Sequence, residues 1–403
     1  MENKVYYVWL QNALGINSSV RTSEILAYFG DAKSLYFAGN YEWKISGVIT
    51  PRQAEKLSKK DLEPAVGIVE ECTANGWNII TSEDENYPPL LLNLFNYPLV
   101  LYVNGDLSCL KNRVPVAVVG TRKPTEKSVM ITSALCADMA KSGAVIISGG
   151  ALGIDSAAHT GALSASGKTV CVLGCGFASN YLEANRALRN DISKHGAVVT
   201  EYPPQTAALG KNFPIRNRII SGLSYGTVVI EGGEHSGSLI TARCALEQGR
   251  DVFAVPGDIT ASGFTGTNRL IHDGAKPVFS AADVLEEYAM LYPELIDIEK
   301  VSTRLEIGQS EYKPAATAVK PAAVKPAAEK KPALKKADPG ELKLLSEAAV
   351  RIYSAFGEDV LQAEDVIIRT GLDARSFSSA MTELELFGFI EQLPGKKYRL
   401  INR

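Results

Sequence analysis

Several things that this 403-residue chain lacks bound what it can be. No apolar stretch reaches the ~20 residues that a membrane-spanning helix needs, so no membrane partner is expected. The first ten residues carry Glu2, Lys4 and aromatics where a signal peptide would have its apolar core, which predicts a cytoplasmic location. The six cysteines, at 72, 109, 136, 171, 175 and 244, form no Cys-x-x-Cys pair. Spread through apolar runs, they read as reduced, buried thiols, not as disulfides. The four histidines, at 159, 195, 235 and 272, lie on separate segments without ligand spacing, and no metal is expected. No Gly-x-Gly-x-x-Gly is complete: Gly174-Cys-Gly176 reaches Ser179 where the third glycine would fall, so no cofactor is expected.

A strong charge of one sign is also missing. The formal net charge is −3, and residues 312–337 hold seven lysines against Glu329 alone, a local +6 that leaves about −9 for the rest. A nucleic-acid site in the folded part must then be a local patch, not a generally basic surface.

What is present divides the chain. Residues 1–75 read as a small helical module of helix-hairpin-helix or SAM-like type, from the apolar spacing of Ile25, Leu26 and Phe29 and the turn signals Gly30-Asp31 and Gly47. Residues 76–290 form the main domain and begin with a connecting stretch. Within it, short apolar runs at 116–119, 144–147, 169–173, 197–200, 227–230, 251–255 and 276–279 alternate with helical segments such as 128–141 and 238–248. That alternation predicts an α/β fold with a parallel, doubly wound, Rossmann-like sheet. Residues 291–341 are a linker, rich in lysine, proline and alanine from 311, that cannot bury a core. Residues 342–403 suggest a winged helix, with three helical runs and a hairpin around Pro394-Gly395. Its third helical run carries Arg375 but also Glu383 and Glu385, so protein contact is as open to it as DNA contact.

Ligands of such sheets bind beyond the carboxyl ends of the strands. Those ends read Gly120-Thr-Arg122, Ser148-Gly-Gly150 running on to Asp155, Gly174-Cys-Gly176, Glu201-Tyr-Pro-Pro204, Glu231-Gly-Gly233 and Pro256-Gly257. Each glycine alone suits a tight turn, but five glycine loops on one edge point to a rim of backbone N–H groups for phosphates, with Arg122 as a fixed cation.

The run Lys211-Asn-Phe-Pro-Ile-Arg-Asn-Arg218 adds an aromatic ring and basic and amide side chains. Pro214 suits the first position of a helix, which places Phe213 just before it as a base platform or as a hydrophobic staple into the core. At 3.6 residues per turn Arg216 and Arg218 point to different sides. One arginine, Arg216, is therefore assigned to the ligand, and the other is left for an internal carboxylate. Ser236, Gly237 and Ser238, with Thr241, read as helix caps or anion contacts. Asp155 and His159 read as a helix-internal hydrogen bond in preference to an acid–base dyad. The ligand that fits a ring beside cations and amide groups is single-stranded DNA.

With these pieces in place the chain resembles the bacterial DNA-processing protein A family, DprA or Smf, over nearly its whole length. The resemblance is carried by Asn86-Tyr-Pro88, Val118-Val-Gly-Thr-Arg122, Ser148 through Asp155 with His159, Phe213-Pro-Ile-Arg-Asn-Arg218, Ser236-Gly-Ser-Leu-Ile-Thr-Ala242 and Phe253-Ala-Val-Pro-Gly257. It implies an extended Rossmann-like domain that binds single-stranded DNA, forms a homodimer and helps load the RecA recombinase during natural transformation. It also implies that Arg122 is a phosphate ligand and that Lys211, Phe213 and the Arg-Asn-Arg run belong to the site. The expected DNA contacts are thus Gly120, Thr121, Arg122, Ser148, Gly149, Gly150, Lys211, Asn212, Phe213, Arg216, Asn217, Arg218, Ser236, Gly237 and Ser238. No catalytic residue is expected. The competing reading is a nucleotide-binding hydrolase related to phosphoribohydrolases, but Glu231-Gly-Gly-Glu-His-Ser-Gly lacks that family's proline and later glutamate.

Overall fold

The computed structural model describes residues 2–16, 22–181, 183–305, 345–356, 361–362, 366, 369–372, 376–377, 380–381, 383–384, 389–393 and 397–400. The lysine-rich linker, Arg375 and Glu385 lie outside them. The chain divides into two compact units, Met1–Thr317 and Ala318–Arg403. Among the described residues no helix is long and apolar enough to cross a membrane.

The first unit opens with six helices: α1 (Glu2–Leu14), α2 (Thr22–Phe29), α3 (Ala32–Phe37), α4 (Asn40–Ser46), α5 (Pro51–Leu57) and α6 (Glu63–Ala74). Local chemistry starts and stops them. Thr50 caps α5 in a capping box with Gln53, and Gly47 ends α4 with φ 69°. Their apolar faces close over Leu10, Leu35 and Trp43 and continue onto Ile79, Val100 and Tyr102.

Those last three residues belong to strands β1 (Asn78–Thr81) and β2 (Val100–Gly105), in the stretch that reads from sequence as a connection. Seven more strands follow: β3 (Val114–Val119), β4 (Ala144–Ser148), β5 (Lys168–Leu173), β6 (Ala197–Thr200), β7 (Gly226–Val229), β8 (Asp251–Ala254) and β9 (Lys276–Pro277). They form one sheet in the order β1-β2-β6-β5-β4-β3-β7-β8-β9. The seven from β6 to β9 are mutually parallel, as the βα alternation predicts, whereas β2 runs antiparallel to both β1 and β6. The helical module thus caps an extended edge of the sheet. Sequence reading misses this because Pro88, Pro89 and Pro98 break up the apolar pattern around β2.

Between the strands lie α7 (Pro89–Leu92), α8 (Glu126–Lys141), α9 (Ile154–Ser164), α10 (Arg186–His195), α11 (Asn212–Gly222), α12 (Gly237–Glu247), α13 (Thr265–His272) and α14 (Ala282–Ala289). The period-two alternation of β3 distributes them. Val116 and Val118 face one way, onto Leu135 of α8, Ala158 of α9 and Leu285 of α14. Ala117 and Val119 face the other way, onto Ile219 and Ile220 of α11 and Ala242 and Ala245 of α12. A sheet covered on both faces needs apolar residues at every position, and all of β3 and β4 is buried.

His159 of α9 does not pair with Asp155. Its Nδ1 lies 2.7 Å from Thr169 Oγ1, and that hydroxyl gives its only proton to Ile146 O at 2.7 Å. Nδ1 must therefore be the donor, which leaves Nε2 as a bare, buried acceptor with no partner among the described residues. Burial pushes the imidazole down to about 3, with Arg216 acting in the same direction. The stability this neutral ring confers is complete above pH ~6.5 and is lost as pH falls from there towards 3, because only the unfolded ring takes up the proton. Replacing His159 with Gln should flatten the stability profile between pH 6.5 and 4 by up to about 1.4 kcal/mol per pH unit. Urea midpoints of parent and variant compared at several pH values will show this, and parallel profiles would refute it.

The second unit is built around α15 (Glu347–Ala355), capped by Ser346, and a three-stranded antiparallel sheet of β10 (Leu361–Gln362), β11 (Ile390–Leu393) and β12 (Lys397–Leu400) in the order β10-β12-β11. Its own core includes Ala349, Ile352, Leu384 and Phe389. Glu383 is engaged within this unit, accepting from Ser346 N at 2.8 Å.

Candidate nucleic-acid interface

The sheet changes its direction of growth at β3: β4, β5 and β6 follow on one side, and the chain then returns to place β7, β8 and β9 on the other. Loops leaving β3 and β7 part at that point, which opens a crevice beyond their carboxyl ends. The crevice here is a cleft of about 630 Å³ lined by the loop after β3, the start of α11 and the start of α12.

The loop after β3 contributes Gly120, Thr121, Arg122 and Lys123. It is held from two sides. Buried Glu231, two residues beyond β7, accepts Thr121 N through its backbone oxygen at 2.8 Å, and its carboxylate accepts Thr125 N and Oγ1 at 2.9 and 3.1 Å. On the other side Ile154 N donates to Thr121 O at 3.2 Å. Gly153 permits that approach, since its φ is +84° and a Cβ there would lie 2.5 Å from Thr121 O. A rigid loop thus presents Arg122, which is exposed and has no acidic partner among the described residues.

The helix α11 starts at Asn212, two residues earlier than Pro214 suggests. Proline is tolerated there because the N–H groups of a first turn have no intrahelical partner. Phe213 therefore lies inside the first turn and is half-buried. Its ring rests on Gly174, where a Cβ would come within 2.9 Å, and against Tyr181, with ring centres 4.9 Å apart. The guanidinium carbons of Arg122 and Arg216 stand 5.6 and 5.8 Å from its centre. The ring is both anchored and part of the cleft wall.

Arg216 also lines the cleft but is only 4% exposed. Its Nη1 donates to Gly149 O at 2.7 Å and to Val172 O, and its Nε donates to Asn217 Oδ1 at 3.3 Å. Burial draws its pKa down while Asp155 opposes the shift. Asp155 is itself pushed up by burial, against the pull of Arg216, and accepts Ala151 N at 3.2 Å. Arg216 and Asp155 thus line the cleft as buried charges, while Arg122 and Lys123 are its exposed cations. Arg216 is therefore at the cleft as expected, but as a buried side chain already bonded to backbone carbonyls.

Five other expected contacts are turned inward or buried behind the wall. Arg218 is buried, with Nη2 on both carboxylate oxygens of Glu201 at 2.7 and 2.6 Å. It is the arginine of the internal carboxylate, and the two-residue step from Arg216, roughly half a turn of helix, takes it out of the cleft. Ser148 is fully buried and donates to Val118 O at 2.6 Å. Gly149 and Gly150 are buried behind the wall, their oxygens accepting from Arg216 and, at 3.1 Å, from Asn185 Nδ2. Asn212 is buried with its Nδ2 directed at Ala207 O. Lys211 is exposed beside Gly210, which lines the cleft. Asn217 lines it too, donating to Gly237 O at 3.4 Å.

The third wall is the N-terminus of α12. Ser236 caps it by accepting Ser238 N at 3.4 Å, and the two hydroxyls lie 2.8 Å apart. The eleven-residue helix turns its N-terminus and positive dipole end to the cleft, where an oxyanion is favoured. Not every glycine loop takes part. Gly257 is clamped by Asn268 through two bonds of 3.1 Å and does not line the cleft.

Sequence reading overlooked Tyr181, Lys123 and the bracing role of Glu231. For Tyr181 the available signal was an aromatic residue soon after the glycine-bearing end of β5. For Glu231 it was a carboxylate directly after an apolar strand, where burial demands a partner.

The sequence profile of the DNA recombination-mediator protein A family matches residues 78–289, and that of the DprA winged helix domain matches residues 328–396. The chain is 42% identical to DNA processing protein DprA of Bacillus subtilis over 212 residues, 53% of this chain and 71% of that one. It is 34% identical to protein Smf of Escherichia coli over 87% of this chain and 85% of that one. The X-ray structure of DNA processing protein A from Streptococcus pneumoniae superposes with a TM-score of 0.63 at 34% identity, covering 70% of this chain and 97% of the other.

Proposed function

As the chain belongs to the DNA recombination-mediator protein A family, also named DprA or Smf, we propose that its cleft holds single-stranded DNA by phosphate and base face without reading sequence. The observation that carries this is the placement of the exposed Arg122 guanidinium 5.6 Å from the centre of the Phe213 ring, in a cleft also lined by the N-terminus of α12. A ring with a cation beside it suits a base and its phosphate, and stacking of this kind contributes roughly 1–3 kcal/mol per base whatever the base. Duplex DNA keeps its bases stacked on one another and offers none to the ring.

The proposal is for binding without turnover. Ser236 and Ser238 bond to each other, and buried His159 is engaged by Thr169, so among the described residues neither serine at the start of α12 is bonded to a histidine that could serve as its base. We further propose, on family membership, that the protein pairs with a second copy of itself and delivers the strand to the RecA recombinase. A sedimentation mass of about twice the 43.3 kDa chain is expected, and a monomer at micromolar concentration would exclude the dimer.

The experiment for the site is an electrophoretic shift with single-stranded and duplex oligonucleotides across a salt series. The single strand is expected to bind far more tightly, with log affinity falling by about 0.7 per contacted phosphate for each tenfold rise in salt. Equal binding of both forms would reject the reading.

A further inference from the structure

Beside the first cleft lies a second, of about 560 Å³, lined by Trp77, Phe177 and Tyr181 together with Arg189. Its volume falls within the roughly 300–1,000 Å³ of pockets that hold small organic ligands, so it can take a nucleotide unit. Trp77 and Phe177 form a tilted pair with ring centres 5.0 Å apart, and both are half-buried, leaving part of each ring to the cavity. The one carboxylate in the lining, Glu71, is engaged by Gln205 Nε2 at 2.5 Å.

The link between the clefts is Tyr181. It lines the second, and its ring stands 4.9 Å from that of Phe213, which lines the first. Phe213 and Tyr181 thus form one aromatic pair and Phe177 and Trp77 another, and Tyr181, Phe177 and Trp77 line the same second cleft. The far wall comes from the edge that sequence reading misses, with Trp77 just before β1 and Glu71 on α6.

We propose that the second cleft receives further nucleotides of the same single strand, its aromatic wall stacking their bases and Arg189 attracting their phosphates. This rests on the reading of the first cleft as a single-strand site. The strand then leaves Phe213 towards the helical module, which becomes part of the binding surface.

Tryptophan emission tests it in the full-length protein. Trp9 and Trp43 are only 4% and 0% exposed, so Trp77 is the tryptophan that a bound base can reach. Thymidine oligonucleotides of about 4 and about 20 residues bracket the footprints of single-strand sites, and anisotropy of the labelled strand reports binding independently. The longer strand is expected to quench emission, and Trp77→Phe should abolish the quenching while binding persists. Phe177→Ala should weaken the longer strand on the order of tenfold and leave the shorter one unchanged. If Phe177→Ala fails to fold, Arg189→Gln serves instead, with a shallower salt dependence expected for the longer strand alone.

Binding of the longer strand with unchanged emission, or equal losses for both lengths, would overturn the proposal and leave the first site standing. Quenching by thymidine monophosphate that a saturating longer strand does not suppress would overturn it too, marking a separate nucleotide site. If neither strand binds the parent protein, the single-strand reading fails and this inference with it.

Discussion

Replacing Arg122 with alanine is expected to weaken single-strand binding by between about tenfold and a hundredfold while leaving stability within about 0.5 kcal/mol of the parent. The two halves of this expectation have the same cause. Arg122 is exposed on a loop braced by Glu231 and Gly153, so the fold does not depend on its side chain. A charge-assisted bond to a phosphate contributes roughly 1.5–3 kcal/mol, and that is what the substitution removes. The salt dependence should become shallower by about 0.7 per lost phosphate contact. Arg122→Lys should recover the charge but not the planar fork beside Phe213, and so restore only part of the affinity. Phe213→Ala should also bind more weakly, yet keep nearly the parent salt dependence, because stacking releases no counterions. An Arg122→Ala protein that binds as tightly as the parent would remove Arg122 from the site.

Glu201→Ala is expected to act on stability instead, at a cost of about 3–5 kcal/mol. Arg218 and Glu201 are both buried, and the guanidinium has no other side-chain acceptor: its Nε and Nη1 have no partner among the described residues. Burial alone pushes the Glu201 carboxyl up and Arg218 pulls it back, so each ion is tolerated only through the other. Removing the carboxylate strands a cation in the interior, which costs far more than the pair contributes net. That is a large fraction of the ~5–15 kcal/mol by which domains are usually stable. Replacing both residues, Glu201→Leu with Arg218→Met, should recover most of the loss, because two apolar side chains leave no ion behind. Chemical denaturation of the single and double variants decides it; a single variant within 1 kcal/mol of the parent, taken as roughly the ordinary effect of a substitution, would mean that water reaches the pair.

The two arginines of α11 divide the roles between them. Arg216 ties α11 to the loop after β4 and to β5 through two backbone carbonyls, and Arg218 ties it to the residue that follows β6. The helix that carries Phe213 is thus fixed to three neighbouring parts of the sheet. Gln11 of α1 donates to Glu201 O at 3.1 Å, which connects the helical module to the same point.

Much of this was legible in the sequence by itself. Alternating apolar strands and amphipathic helices determined the parallel sheet, because a strand covered on both faces has to be apolar throughout, as β3 and β4 are. Glycines and Arg122 at strand ends marked the functional edge, since ligands of such sheets bind there. Helical periodicity determined that Arg216 and Arg218 part company.

Only the tertiary structure decided which residues face the cleft. Ser148, Gly149 and Gly150 sit in a strand-end motif as suggestive as Gly120-Thr-Arg122, yet the carbonyls that must be satisfied behind the wall claim them. Tyr181 reaches Phe213 across 32 positions of sequence, a proximity that no local pattern encodes. Periodicity tells which side of an element a residue lies on. Whether that side meets solvent, a carboxylate or another ring depends on which distant segment folds against it, and desolvation then decides whether a cation is free to bind or already held.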